Sequence, residues 1–392
     1  MRRFGWILWL MLALAWPAYA ETVAAQVQAP ERVQTEFASP SGGTVVFVDA
    51  PVIVPEAEAM YRIPVGPRIF GDEMVEGLAA LFWPELQGPP KVEDVKEARY
   101  TYHRAGMMRW GTVKDDAHVD VSTNYYTMKG IEGPFWSQLH AELRLGNDKR
   151  LSREINYNAV QMDRLVEGAG IEGHPLTRKQ AEDIALSFLR GLTDEPFEVF
   201  FTGLAPGVIY DDELILSNRN DRDTGYSYVV SLTRRIEGAP ALSLNRAMAL
   251  WERTDLTNAP PGYEEVIIAL DLEGRVTHFI WSTPYELGEA REPQTLLPFE
   301  DILAIAGQTL PLMHTWEEIY AQDYGPHRIT RIELGYMAVL QRDTMNFALT
   351  PVWCFYDTQA YRRSGDFWRE RFGPDLTLSA VDGSVIDLLL GY

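Results

Sequence analysis

The clearest periodicity in the chain runs from Leu176 to Trp281. Ala181, Ile184, Ala185, Phe188, Leu189 and Leu192 fall at the i, i+3, i+4, i+7, i+8 and i+11 spacing of one buried helical stripe. Thr177 stands where an N-cap belongs, Gln180 completes a capping-box pattern, and Gly191 marks the end of the helix. Strand-like runs follow. Tyr226 to Arg234 turns at Glu237 and Gly238 and returns as Ala239 to Leu244. Glu264 to Leu270 turns at Leu272 to Gly274 and returns as Arg275 to Trp281. This pattern predicts a helix laid on an antiparallel sheet.

Similar patterns flank it. On the N-terminal side, Thr44–Val48 and Pro51–Val54 read as short strands broken at Asp49 to Pro51, and Tyr61–Pro64 as an extended edge. Asp72 opens a helix with Met74, Leu78, Leu81 and Phe82 on one face, ended by Pro84. Strands are expected over Glu97–Thr112 and His118–Tyr126, with edge strands over Leu139–Leu145 and Arg153–Asn158 and a short helix over Val160–Glu167. On the C-terminal side, Phe299, Ile302, Ile305, Ala306 and Leu310 line a helix that Pro311 ends. His327–Leu340 and Met345–Tyr356 should pair, and a last hairpin runs from Leu376–Ala380 to Ser384–Leu390. The expected class is α+β, in two or three modules, each a helix packed on an antiparallel sheet. The units are 44–170, 171–295 and 296–392. Residues 21–43, rich in Ala, Gln, Val and Pro without a period, read as a disordered linker.

Composition changes the picture in three ways. Met1 to Arg3 is cationic, Phe4 to Trp16 is apolar, and Ala18 to Ala20 forms an A-x-A site, the layout of a cleaved secretory signal over residues 1–20. Its 13 apolar residues fall short of the ~20 that a bilayer core needs, so no membrane span is expected after cleavage, and the chain should reside in the cell envelope or outside the cell. The formal charge is −21, and removing Arg2 and Arg3 with the signal makes it −23, which disfavours nucleic acid as a partner. A single cysteine, Cys354, permits no internal disulfide and sits in the apolar run Pro351–Tyr356, where it reads as a small core residue.

The helix Leu176–Leu192 followed by Tyr228–Pro240, with Thr177, Ala181, Gly238 and Pro240 at the characteristic places, resembles a PepSY unit. Leu297–Asp301, Ile332–Tyr336, Pro351–Trp353 and Val381–Gly383 are similar to the YycH/YycI type of envelope regulators. Val48–Pro55 with Tyr61 and Arg62 resembles exported proteins of the same layout. The resemblance covers most of the chain beyond the signal and implies a non-enzymatic envelope protein that binds or restrains a partner such as a sensor kinase or protease. It transfers no catalytic residue. The regulators of that type keep an N-terminal anchor, whereas here the signal is expected to be released.

Candidate chemistry is sparse. No G-x-S-x-G, H-E-x-x-H, Walker or G-x-G-x-x-G motif occurs. His118 and Asp120 form an H-x-D pair that reads better as a strand edge than as a metal site. Asn218–Gly225 fails the calcium-loop pattern in either register, since Arg222 or Leu232 takes a ligand position. Asp211–Glu213 and Glu317–Glu318 are acidic runs of the kind an acidic chain produces by chance. No metal and no cofactor is expected. With 11 Trp and 18 Tyr, aromatics such as Tyr125, Tyr126, Phe135, Trp136, Trp281, Trp353, Phe367 and Trp368 are available to line a sugar or peptide groove or to pack the core. Phe367, Trp368, Arg369 and Arg371, in an expected loop, form the candidate partner-facing flap. Three classes stay open: a protein-binding regulator using a groove or a sheet edge, a carbohydrate- or wall-binding protein using its aromatics, and a hydrolase without a recognised motif.

Overall fold

The structure, a computed structural model, describes residues 22–40, 44–82, 91–93, 102–110, 117–127, 134–145, 152–155, 175–210, 222–242, 264–271, 273–313, 327–341, 346–357, 361–362, 368–369 and 374–386. The expected signal and the expected helix at Val160–Glu167 lie outside these residues.

Helices and sheets are both present, so the chain is α+β, with strand exceeding helix. The first sheet runs β1 (Arg32–Ala38), β2 (Val45–Ile53), β16 (His327–Gln341), β17 (Asn346–Asp357), β3 (Tyr61–Pro67) and β14 (Tyr285–Leu287). To it are added β15 (Glu292–Pro293) on β3 and β20 (Leu376–Ser379) on β17. The second runs β4 (Lys91–Glu93), β5 (Tyr102–Trp110), β6 (Ala117–Thr127), β7 (Pro134–Leu145), β13 (Val276–Ser282), β12 (Glu265–Leu270), β10 (Arg222–Ile236), β9 (Phe197–Tyr210) and β8 (Ser152–Ile155), with β11 (Ala239–Pro240) on β10. The short strands β18 (Tyr361–Arg362) and β19 (Trp368–Arg369) pair with each other. Helices α1 (Val23–Val27) and α4 (Phe299–Met313) contribute to the core of the first sheet; α2 (Asp72–Phe82) and α3 (Arg178–Arg190) share the core of the second.

The structure departs from several expectations. The stretch read as a disordered linker instead holds α1, capped by the Thr22 hydroxyl, and β1, which pairs with β2 along its whole length. Val23, Val27 and Val33 are buried; β1 alternates with too few apolar residues to stand out, and its inward positions are covered by α4. The break at Asp49–Pro51 is absent, and β2 runs through it. Pro51 has no N–H for β16, and the β16 register slips beside it, between Ile329 and Ile332. That β2–β16 pairing is parallel, so the first sheet is mixed rather than antiparallel. The strands of the expected unit 44–170 also divide between the two sheets. The long strand β9 escaped notice because Gly203, Pro206 and Gly207 interrupt its pattern, and α4 continues past Pro311 to Met313.

Two helix–hairpin units dock in the same way. The predicted capping box of α3 is formed: the Gln180 amide donates to Thr177 Oγ1 (3.2 Å) and the Thr177 amide to Gln180 Oε1 (2.8 Å). The turn glycine Gly274, at φ +83°, then abuts Ile184 and Leu176. In the C-terminal unit Gly383, at φ +73°, abuts Ile305 and Leu297. Each pair is a residue just before the helix and the isoleucine eight positions later, so the same two-point seat receives a left-handed glycine twice. Asp271 and Asp382 brace the two turns, accepting from the amides of Glu273 and Arg275 and of Ser384 respectively. Gly191 keeps an ordinary φ of −69°; it is needed for space, because a Cβ there would lie 2.9 Å from Leu81.

The sheets meet where β11 leaves β10 and crosses to β16. Ala241 bridges Tyr336 in parallel, the Leu242 amide donates to the Tyr336 carbonyl (2.8 Å), and a Cβ on Gly335 would fall 2.6 Å from both Leu242 Cγ and the Pro240 carbonyl. Nearby, the Arg331 guanidinium lies over the rings of Phe200 and Tyr356 and pairs with buried Glu333 at 2.6 Å.

The turn seats set a ranking of effects. Gly383→Ala should destabilise the protein by about 2–4 kcal/mol, from left-handed strain plus a Cβ driven into Ile305. Gly274→Ala should cost less, because its nearest contact, 3.1 Å from Ile184, is looser than the 2.3 Å at Ile305. Urea unfolding of the two variants measures the order.

Candidate functional site

The inward row of β10 reads Tyr228, Val230, Leu232 and then Arg234; that of β12 reads Val266, Ile268 and Leu270, with Glu264 continuing it just before the strand. Leu232 pairs with Val266 in the antiparallel register, so Arg234 and Glu264 stand opposite one another at the end of the apolar face. Their side chains are 4% and 1% exposed, and Arg234 Nη2 reaches Glu264 Oε1 at 2.7 Å. Trp281 Nε1 donates to the same oxygen at 3.0 Å. The Arg234 guanidinium also donates to the Tyr285 carbonyl and lies 3.0 Å from Glu195 Oε2, and Glu195 Oε1 accepts from Arg68 at 2.9 Å. Arg68 in turn sits over the Trp281 ring, which Phe70 and Phe197 meet edge-on. The Tyr285 hydroxyl closes the circuit by accepting from the Glu264 amide.

A cleft of about 400 Å³ opens beside this network, after the end of α3. Leu186, Leu189 and Phe197 supply apolar wall, Arg190 and Asp194 charge, and Glu195 is the network residue that lines it. Burial pushes the Glu264 carboxyl up to about 7, against the pull of Arg234 and the Trp281 hydrogen bond. On the opposite face of the same strand, burial pushes Glu265 up to about 7 as well, where Ser231 is its hydrogen-bond donor at 3.0 Å and no cation among the described residues pairs with it. In the first sheet the Cys354 thiol, fully buried and 3.7 Å from Thr377 Oγ1, is pushed up to about 12, as befits a core residue. The carboxylates of this network are directed at arginines inside the fold, and the arrangement neutralises charge where two sheets meet.

The strand edge of β1 is the other feature with recognition chemistry. The Val52 amide donates to the Glu31 carbonyl and the Ser39 amide to the Thr44 carbonyl. The odd-numbered residues of β1 are therefore the ones bonded to β2, and the alternation of an antiparallel ladder turns the backbone of Arg32, Gln34, Glu36 and Ala38 outward. All four are exposed, and β1 ends the sheet order.

The expected flap is only partly described. Trp368 and Arg369 form β19, opposite Arg362 and Tyr361, so their backbone is strand rather than loop; Phe367 and Arg371 lie outside the described residues. Trp281 and Trp353 are fully buried and belong to the core, not to a groove. The side chains of Tyr125, Tyr126, Trp136, His118 and Asp120 are not among those described, nor are Asp211–Glu213, Glu317–Glu318 and Asn218–Asp221. Among the described residues no group of three or more His, Cys, Asp and Glu is placed to hold a metal ion, and no helix is long and apolar enough to cross a membrane. Sequence reasoning missed Arg234, Glu264, Glu195 and Arg68. A charge ending an inward apolar row was the available signal, but it becomes a pair only once β10 and β12, from different hairpins, are known to be neighbours.

No protein-family model matches the chain, and no curated protein matches it. Among solved structures, an uncharacterised protein from Eubacterium rectale ATCC 33656 is similar, with a TM-score of 0.58 at 14% identity over 94% of this chain and 96% of that one. At that identity the likeness is one of fold.

Two outcomes test the buried charges. Arg234→Met leaves Glu264 buried without its cation and should cost about 3–5 kcal/mol, with much of that recovered in Arg234→Met/Glu264→Leu; denaturant unfolding of both reads this. For Glu265 the folded carboxyl holds its proton up to about 7 and the unfolded one only to 4.5. The stabilising proton is fully held below pH 4.5, and the contribution is lost as pH rises toward 7, at about 1.4 kcal/mol per unit. Glu265→Gln should therefore flatten the fall in stability across that window and raise stability at pH 8, measured by urea midpoints against pH.

Proposed function

We propose that this chain is an exported, non-catalytic binding or regulatory protein of the cell envelope, of PepSY-like and YycI-like build, that recognises a protein partner by adding the partner's strand to β1. The carrying observation is the outward backbone row at Arg32, Gln34, Glu36 and Ala38 at the end of the first sheet. Such an edge gives main-chain hydrogen bonds for affinity and alternating side chains for selectivity. The N-terminal signal pattern supports export, and the repeated helix–hairpin seat supports a modular scaffold of the resembling kind.

Gln34→Pro tests this directly. Proline at 34 removes one outward N–H and leaves the backbone bonds to β2 intact, since those come from the odd-numbered residues, and it gives up only the exposed Gln34 side-chain bond to Asp49 (3.0 Å). Immobilised wild-type protein should retain one stoichiometric protein from an envelope extract, a second copy included, and Gln34→Pro should lose it while its melting temperature stays within about 3 °C. Equal retention by both proteins would rule out the β1 edge as the recognition surface.

A further inference from the structure

We infer that the strand which fits the β1 edge is β1 of a second copy, paired antiparallel about a two-fold axis at Gln34. The inference rests on the strand-addition reading and names its partner. Three observations on β1 converge. The first is parity. An outside strand can exchange hydrogen bonds only with Arg32, Gln34, Glu36 and Ala38, because the odd-numbered residues are bonded to β2. A self-pairing must therefore set even residues against even residues, and one centred on Gln34 does so, with Gln34 opposite Gln34 and Arg32 opposite Glu36.

The second is charge. Arg32 and Glu36 stand two residues either side of Gln34 on the same exposed face, so that register forms two Arg–Glu cross-strand pairs, one at each end of the axis. Shifting by two residues either way breaks this: it sets Glu36 opposite Gln34, or Arg32 opposite Gln34, and no opposite charges meet. Edges that avoid self-pairing carry charges of one sign, which repel in any register; this edge carries one of each at mirror positions. Glu36 has no ion-pair partner among the described residues, while Arg32 pairs with Asp49 of β2 at 2.6 Å, on the side away from the free edge. A second Glu36 would extend that pair into an alternating row.

The third is the end of the ladder. Continuing the same count sets Ala38 opposite Pro30, which has no N–H, so the shared ladder closes just beyond the Arg–Glu pairs at both ends. The inward side chains Val33 and Thr35 fall opposite one another across the axis, on the face covered by α4. The result is a closed, isologous contact, which cannot propagate into a filament.

The experiment uses complementary charge variants of the mature protein in sedimentation velocity over a concentration series. Wild type should dimerise in a concentration-dependent way. Arg32→Glu alone sets Glu against Glu twice, and Glu36→Lys alone sets Lys against Arg twice; each should weaken association at least about tenfold. Mixed one to one, the two variants restore both opposite-charge pairs and should form a heterodimer about as well as wild type, which also shows that both are folded. Gln34→Cys under mild oxidation should give a covalent dimer, since directly opposed residues sit about 5.5 Å apart, within disulfide reach. Arg32→Cys should not, its copies being about 13 Å apart along the strands. A dimer indifferent to both charge reversals, or a mixture that stays monomeric, overturns the inference. A wild type that is monomeric throughout while Gln34→Pro still abolishes capture of a different protein sinks the self-partner and leaves strand addition standing; a monomer whose capture ignores Gln34→Pro sinks both.

Discussion

A guanidinium taken out of water needs partners for its donors, and Arg234 finds them for both terminal nitrogens, though not for Nε among the described residues, by drawing on several segments. Glu264 comes from the neighbouring strand of the second sheet, Glu195 from the connection after α3, and the Tyr285 carbonyl from the edge of the first sheet, while Phe197 lies against its face. Of these partners only the Tyr285 carbonyl belongs to the first sheet, so its bonds to Arg234 are the ones lost if the sheets separate. The cation is therefore a geometric constraint on how the two sheets meet, more than a source of stability in itself. Trp281 depends on it too, since its indole N–H shares the Glu264 oxygen that Arg234 holds in place. The crossing of β11 over Gly335 lies only a few residues along the chain, so the polar tie and the close backbone contact reinforce one another.

Around that junction the same construction is used twice. A residue preceding a helix and an isoleucine eight positions on form a seat, and a turn glycine in the left-handed region fills it, braced by an aspartate that caps the turn amides. This allows the turn backbone to rest directly on the two seat side chains, with none of its own in between. The outer strand β1 owes its position to a different device. Its inward row of Val33, Thr35 and Phe37 is thin, and α4 covers it; its outward row is polar and mirror-arranged in charge.

The local elements were written in the chain. The 3.6-residue stripe from Ala181 to Leu192, the Thr177–Gln180 cap and the glycine turns at Gly238, Gly274 and Gly383 are each specified by residues within a dozen positions of one another, where sterics and short-range hydrogen bonds decide the conformation. Which strands become neighbours was decided only by the tertiary structure. The pairing of β10 with β12, of β2 with β16, and of β1 with β2 across a stretch that reads as linker joins segments whose own patterns carry no address. An alternating row says which face of a strand is buried; it does not say against what, because that choice depends on burial summed over the whole core. Arg234 and Glu264 were visible as two charges at the ends of two apolar rows, and they became one buried pair when long-range packing set those rows side by side.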